Sequence, residues 1–143
     1  AQKRVGQSWS TPELVPVPPP SPPPGMNAIV APDGTVHLVA QCCSTEHKII
    51  YLSRTPTGTW LGPEVLVRDF ATVGAPTIAR RDDGGLHVAY VGSPNGSFQP
   101  RQPIYQFRLP NGTWSPQQQV ASMSGEGHTA RLAVDSAQTL HLV

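Results

Sequence analysis

Charge is scarce in this 143-residue chain: Asp, Glu, Lys and Arg make up 13% of it, and the formal net charge is +1. That balance offers no basic footprint for nucleic acid and no acidic tail. Long apolar runs are missing too. None approaches the ~20 residues that span a bilayer as a helix, so membrane insertion is not expected. Cysteine is confined to the neighbours Cys42 and Cys43. An adjacent pair is no disulfide framework. A disulfide usually joins Cα atoms ~5.5 Å apart, so free or separately modified thiols are expected over a vicinal or intermolecular bridge. Aromatics are few, at 6%. There is no initiator Met. Ala1-Gln2 fits either a mature N-terminus left by a signal peptidase, which prefers small residues before its cut, or a boundary within a longer chain. A secreted or extracytoplasmic location is the expectation. Asn95-Gly96-Ser97 and Asn111-Gly112-Thr113 fit the glycosylation sequon.

Helix breakers, by contrast, are abundant, with 17 Pro and 13 Gly. The apolar residues fall in short runs between turn residues, which points to strands. The chain also repeats itself. Trp9, Trp60 and Trp114 are spaced by about 50 residues, and so are His37, His87 and His141. Tyr51 and Tyr105 each precede a Trp by the same interval. The flanking segments align: "AIVAPDGTVHLVA", "TIARRDDGGLHVAY" and "RLAVDSAQTLHLV"; "IIYLSRTPTGTW" and "IYQFRLPNGTW"; "SWSTPELV", "TWLGPEVLV" and "TWSPQQQV". Asp33-Gly34 and Asp83-Gly84-Gly85 supply the residues that tight hairpins need.

One unit therefore reads as four short antiparallel strands, A to D, in about 50 residues. That period and strand count are the signature of a β-propeller blade. The expected fold is all-β: one partial propeller domain over 1–143, with units at 1–17, 27–67, 76–121 and 129–143. Expected strands are D at 13–17; A 28–31, B 36–40, C 48–53 and D 63–67; A 77–80, B 86–90, C 103–108 and D 117–121; then A 130–134 and B 139–143. Two whole blades plus fragments cannot close a ring of four to eight. Either the chain is part of a longer one, which is favoured, or copies assemble. Residues 18–25 form a Pro-rich loop, read as a rigid polyproline II crossover rather than a docking segment.

The C-to-D turn carries a family resemblance. Ser53-Arg54-Thr55-Pro56-Thr57-Gly58-Thr59-Trp60 resembles a degenerate Asp-box, the S-x-D-x-G-x-T-W hairpin of sialidase-like (BNR) propellers. Ser53, Thr59 and Trp60 match; Thr55 holds the Asp position and Gly58 sits one place late. In the next unit Thr113 and Trp114 match, with Leu109 at the Asp position. In the first, Gly6 and Trp9 match, with Ser8 for Thr. The resemblance implies a propeller fold. It does not imply activity, because in that family this box is a structural turn remote from the active face.

Residues that recur in every unit serve what every unit needs. Trp9, Trp60, Trp114, His37, His87, His141, Tyr51 and Tyr105 are therefore expected to be structural, the tryptophans stapling the outer hairpin onto the blade. Function is expected from what does not repeat: the D-to-A and B-to-C loops at Pro16–Met26, Cys42–Lys48, Arg68–Ala75, Val91–Arg101 and Ser122–His128. These carry Glu46, His47, Arg68, Asp69, Arg101, Glu126 and His128, the candidate ligand-binding residues. No catalytic set is read. The arginine cluster and Tyr–Glu pair that a sialidase resemblance would imply are not matched. Arg80 and Arg81 sit at the opposite, turn end. Asp69 and Glu126 would need to converge across a cleft to serve glycoside hydrolysis. Cys42, Cys43 and His47 lack a fourth metal ligand, and no P-loop, G-x-S-x-G or dinucleotide fingerprint occurs. No cofactor or metal is expected. The leading expectation is a non-catalytic recognition module, carbohydrate-binding and lectin-like. The alternatives are a piece of a sialidase-like hydrolase or lyase with catalytic residues elsewhere, and a self-assembling structural module. Expected partners are a glycan or protein ligand, together with further blades or copies of the chain.

Overall fold

The structure is a computed structural model. It describes residues 4–6, 8–19, 25–43, 47–67, 70–93, 101–122, 124 and 129–143. Among these the chain is all-β, without helix. A first small hairpin joins β1 (Arg4–Val5) to β2 (Ser8–Trp9). A four-stranded antiparallel meander follows: β3 (Gly25–Val30), β4 (Val36–Cys42), β5 (Lys48–Arg54) and β6 (Trp60–Val67). A second meander repeats it with β7 (Thr77–Arg80), β8 (Leu86–Gly92), β9 (Gln102–Arg108) and β10 (Gln118–Gln119). A last hairpin pairs β11 (Leu132–Val134) with β12 (Leu140–Leu142). No helix among the described residues is long and apolar enough to cross a membrane.

The repeat read from the sequence is thus a repeat of structure. His37, His87 and His141 face Ile29, Ala79 and Ala133 in the three A–B hairpins. Gly34 and Gly84 turn the first two with φ of 87° and 86°, a region costly for a residue with a Cβ. Gln138 holds the corresponding place in the third, with φ 63°. Arg54 faces Trp60, Arg108 bridges to Trp114 and Arg4 faces Trp9, so all three C–D hairpins close alike.

Some boundaries differ from the sequence expectation. Residues 13–17 form no strand ladder; this Pro-flanked stretch lies in irregular backbone against β4 and β5, since proline leaves a ladder without donors. The D strand expected at 117–121 shrinks to two residues, while the first unit's A and D strands begin earlier than expected, at Gly25 and Trp60.

Both faces of each four-stranded sheet are apolar, which explains the near-continuous hydrophobic runs of β4 and β8. Side chains alternate between the faces. In the first sheet Leu38, Ala40, Cys42, Ile50 and Leu52 pack against Val15 and Val17 on one side. Val39, Ile49, Tyr51 and Val67 pack on the other, against Ile78, Leu86, Val88, Tyr90 and Ile104 of the second sheet. The far face of the second sheet presents Ala89 and Val91 to Ala130, Leu132 and Leu142. Each fully buried Val, Leu or Ile contributes roughly 1.5–3 kcal/mol, so the cores between layers supply most of the stabilisation. The layers stack in chain order, with β3 beside β7 and β7 beside β11.

Candidate functional site

Two sets of polar side chains stitch neighbouring layers together. The outer set begins with a Pro-Glu pair three and four residues beyond Trp9 and Trp60. Trp60 Nε1 donates to Glu13 Oε1 at 2.6 Å, and Arg54 Nε and Nη2 donate to the same carboxylate at 2.9–3.0 Å. One layer on, Trp114 Nε1 donates to Glu64 Oε2 at 2.7 Å and Arg108 Nη2 to Glu64 Oε1 at 3.1 Å. Arg54 and Trp60 together hold the Glu13 carboxyl below its usual range. The Arg108 guanidinium also lies 5.0 Å above the Tyr51 ring, and Trp114 meets that ring edge-on at 5.4 Å. Tyr51 is 2% exposed as a result.

The inner set lies on the A strands. Asn27 Oδ1 accepts the Ile78 N–H at 3.1 Å, and Thr77 Oγ1 accepts the Leu132 N–H at 3.4 Å. Asn27 and Thr77 occupy equivalent places, each two residues before the partner of the strand-B histidine. The third equivalent place is Arg131, a donor only.

Within each sheet the repeated His and Tyr act together. His37 Nδ1 and the Tyr51 hydroxyl share a hydrogen bond at 2.8 Å; His87 Nδ1 and Tyr105 share one at 2.6 Å, with the rings stacked in both. Burial, then the charges of Arg108 and Arg80, pushes the His37 pKa down against the pull of Asp33. Burial and Arg81 do the same to His87 against Asp83. His141 differs: its Nε2 bonds to Asp135 Oδ2 at 2.8 Å in an exposed setting. The first two bonds tie strand B to strand C, and the third lies within the last hairpin.

The tryptophans also act between layers. Trp60, which packs on the Leu38–Ile50–Leu52 face of its own sheet, and Trp114 each donate to the preceding layer's carboxylate, because the Glu side chain reaches across the boundary. The acceptors Glu13 and Glu64, and the donors Arg54 and Arg108, are not among the residues singled out from the sequence. Their signal was present in the repeated "PELV" and "PEVLV" and in the arginine preceding each turn.

The opposite end of the sheets holds the residues that do not repeat. The loop candidates Glu46, Arg68, Asp69, Glu126 and His128 lie outside the described residues. His47 and Arg101 are described and half-buried. They occupy the same place in the two sheets, one residue before β5 and one before β9, a correspondence the spacing from Tyr51 and Tyr105 also carries. Arg101 Nε is buried without a hydrogen-bond partner among the described atoms. His47 takes a left-handed φ of 44°, with its N–H donating to the Cys43 carbonyl at 3.0 Å. Beside it Cys42 and Cys43 are joined in a vicinal disulfide. This corrects the expectation of free thiols: Cys43 adopts a left-handed φ of 63° that lets neighbouring sulfurs meet. The bridge also removes the thiolates from any partial metal site with His47. Gln41 Nε2 donates across the layers to the Val73 carbonyl at 2.9 Å. Among the described residues no three His, Cys, Asp or Glu side chains group as a metal site.

No protein-family model matches the chain, and no curated protein matches it.

Proposed function

We propose that this chain is a run of β-propeller blades of the sialidase-like type and works as a non-catalytic recognition module. Its binding surface is the loop end, where His47 and Arg101 sit at matching places on adjacent sheets. The observation that carries this reading is the division of labour between the two ends. The repeated Trp, Arg, Glu, His and Tyr side chains link strands and layers, with His87 Nε2 and Arg108 Nε left buried without a partner among the described atoms. The loop end gathers residues that break the repeat: the Cys42–Cys43 ring, His47, and Arg101 with an unpartnered guanidinium nitrogen.

The blade reading is supported by the meander order, the two apolar faces and the contact of the A strands between layers. A glycan is the proposed ligand class. Guanidinium and imidazole groups are suited to the hydroxyls and carboxylates of sugars; the step from fold to ligand is otherwise one of analogy. The disulfide supports a secreted or extracytoplasmic setting, where such bonds persist. A glycan array followed by titration calorimetry tests the reading. Binding lost in Arg101→Ala and weakened in His47→Ala, with unfolding temperatures unchanged, is the expected result. An array without a hit, or a ligand that both variants bind as well as the parent chain, would overturn it.

A further inference from the structure

The three A–B hairpins close on one backbone frame. Ala31, Arg81 and Asp135 each donate an N–H to the carbonyl four residues on, at Thr35, Gly85 and Thr139. Two residues further stand His37, His87 and His141. In the third hairpin the Asp135 carboxylate turns back onto its histidine, with Oδ2 2.8 Å from His141 Nε2. In the second hairpin that place belongs to Arg81, which can only donate. Arg81 Nε and His87 Nε2 are both buried without a hydrogen-bond partner among the described atoms, and His87 is 8% exposed. The Arg81 charge acts on both His87 and the Tyr105 hydroxyl bonded to its Nδ1, so the guanidinium stands close to the pair. A second change falls at the same spot. Gly85 stands where the other two hairpins have threonine, and a Cβ built there would lie 3.7 Å from His87 Nε2. The carboxylate has thus become a cation, and the side chain that would crowd it is gone. Asp83, whose charge reaches His87, does not fill the place: it is exposed, and its Oδ1 accepts the Gly85 N–H at 2.8 Å. Asp82, beside Arg81, donates its N–H to Gln138 Oε1 at 2.8 Å, which anchors this turn to the next layer.

We propose that Arg81 and His87 hold the carboxylate of a small-molecule ligand, which takes for His87 the place that Asp135 fills for His141. Buried polar atoms are nearly always paired, and an orphaned one calls for an explanation such as a bound ion; here two orphaned nitrogens meet where the fold elsewhere puts a carboxylate. With the Tyr105 O–H donating to Nδ1, the ring proton sits on His87 Nε2. Nε2–H and the Arg81 guanidinium then offer donors to the two carboxylate oxygens, and bonds of this charge-assisted kind are the strong ones. Arg81 is half-exposed while His87 is buried, so Arg81 is the side that yields as the ligand enters. Gly85 leaves the room that the incoming oxygen needs. The site lies at the turn end of the sheets. It uses neither His47 nor Arg101 and stands independently of recognition at the loop end.

Titration with acetate, at constant ionic strength against chloride, is the test, with the imidazole nitrogens followed by NMR. His87 Nε2 is expected to shift saturably at millimolar acetate. His37, whose hairpin has Ala31 where the second has Arg81, is the internal control and should not. Arg81→Ala should weaken acetate binding about tenfold, the scale of one charge-assisted hydrogen bond. Arg81→Asp supplies the carboxylate from within, as in the third hairpin. Its His87 Nε2 should be shifted before any acetate is added, and acetate should then add nothing. Both substitutions change a half-exposed side chain on a turn, and unmoved His37 and His141 resonances report that the fold is kept. Two results would overturn the proposal. One is a response at His87 no larger than that at His37. The other is saturable binding that survives Arg81→Asp undiminished.

Discussion

Trp114 Nε1 donates to Glu64 Oε2 across the boundary between two sheets, 2.7 Å away, while Arg108 binds the other oxygen of the same carboxylate. The same relationship joins Trp60 and Arg54 to Glu13 one layer earlier. Removing the carboxylate strands two donors at once. Glu64→Ala should therefore destabilise the chain by about 1–2 kcal/mol, toward the lower range for charged hydrogen bonds because the Glu64 side chain is 41% exposed. Urea unfolding monitored by tryptophan fluorescence reads this directly.

The inner stitch makes a prediction local to one hairpin. Thr77 is buried and its hydroxyl accepts the Leu132 N–H. Thr77→Val keeps the shape and removes the acceptor. A loss of about 1 kcal/mol is expected, felt first where β11 and β12 rest on the second sheet. Hydrogen exchange should accelerate at residues 132–142 and stay unchanged in β4 and β5. Uniform acceleration across the chain would show that the bond is not a local tie.

Close approach fixes another position. A Cβ on Gly92 would stand 2.6 Å and 2.8 Å from two carbons of the Phe70 ring. Gly92 ends β8, and the Phe70 ring packs over it while meeting Tyr90 edge-on. Gly92→Ala forces the ring to move and should cost about 1–3 kcal/mol, the usual range for overpacking. Paired Gly92→Ala and Phe70→Leu substitutions should recover part of that loss in thermal unfolding, because the smaller side chain vacates the space.

The strand histidines set an acid limit on stability. His37 and His87 are held below their ordinary pKa of 6.5, chiefly by burial. Below 6.5 the unfolded chain takes up protons that the folded chain resists, so stability present at neutral pH falls as the pH drops toward the lowered folded values. Melting temperature should decline on going from about pH 7.5 to 5.5, the range in which histidine changes charge. The double variant His37→Asn, His87→Asn should flatten that slope. An unchanged slope would assign the acid sensitivity to the carboxylates, which titrate lower.

Much of the fold was legible because its signals are local. Asp-Gly turns, a histidine at one point of strand B and a Tyr–Trp interval each lie within one unit, and the 50-residue spacing does the rest. What was not legible lies between units. Glu64 and Trp114 are 50 residues apart, and nothing near Glu64 in sequence announces a half-buried indole from the next unit. A glutamate is most often solvated, so the repeated Pro-Glu pair alone does not point to a partner. The vicinal disulfide was missed for a related reason. It depends on left-handed backbone at Cys43, which a cysteine adopts at a cost that composition does not reveal. Of the loop candidates, the matching placement of His47 and Arg101 follows from counting back from the repeated tyrosines.

The claim on which the rest stands is that successive layers are joined by one repeated Trp–Glu link. A double-mutant cycle between Glu64→Ala and Trp114→Phe, read by equilibrium unfolding, measures that link with the ring's bulk largely retained. A coupling of about 1 kcal/mol or more is expected for residues in direct contact. Additivity within about 0.3 kcal/mol, the behaviour of independent sites, would contradict the account and leave apolar packing and the inner hydrogen bonds of Asn27, Thr77 and Gln41 to hold the layers together.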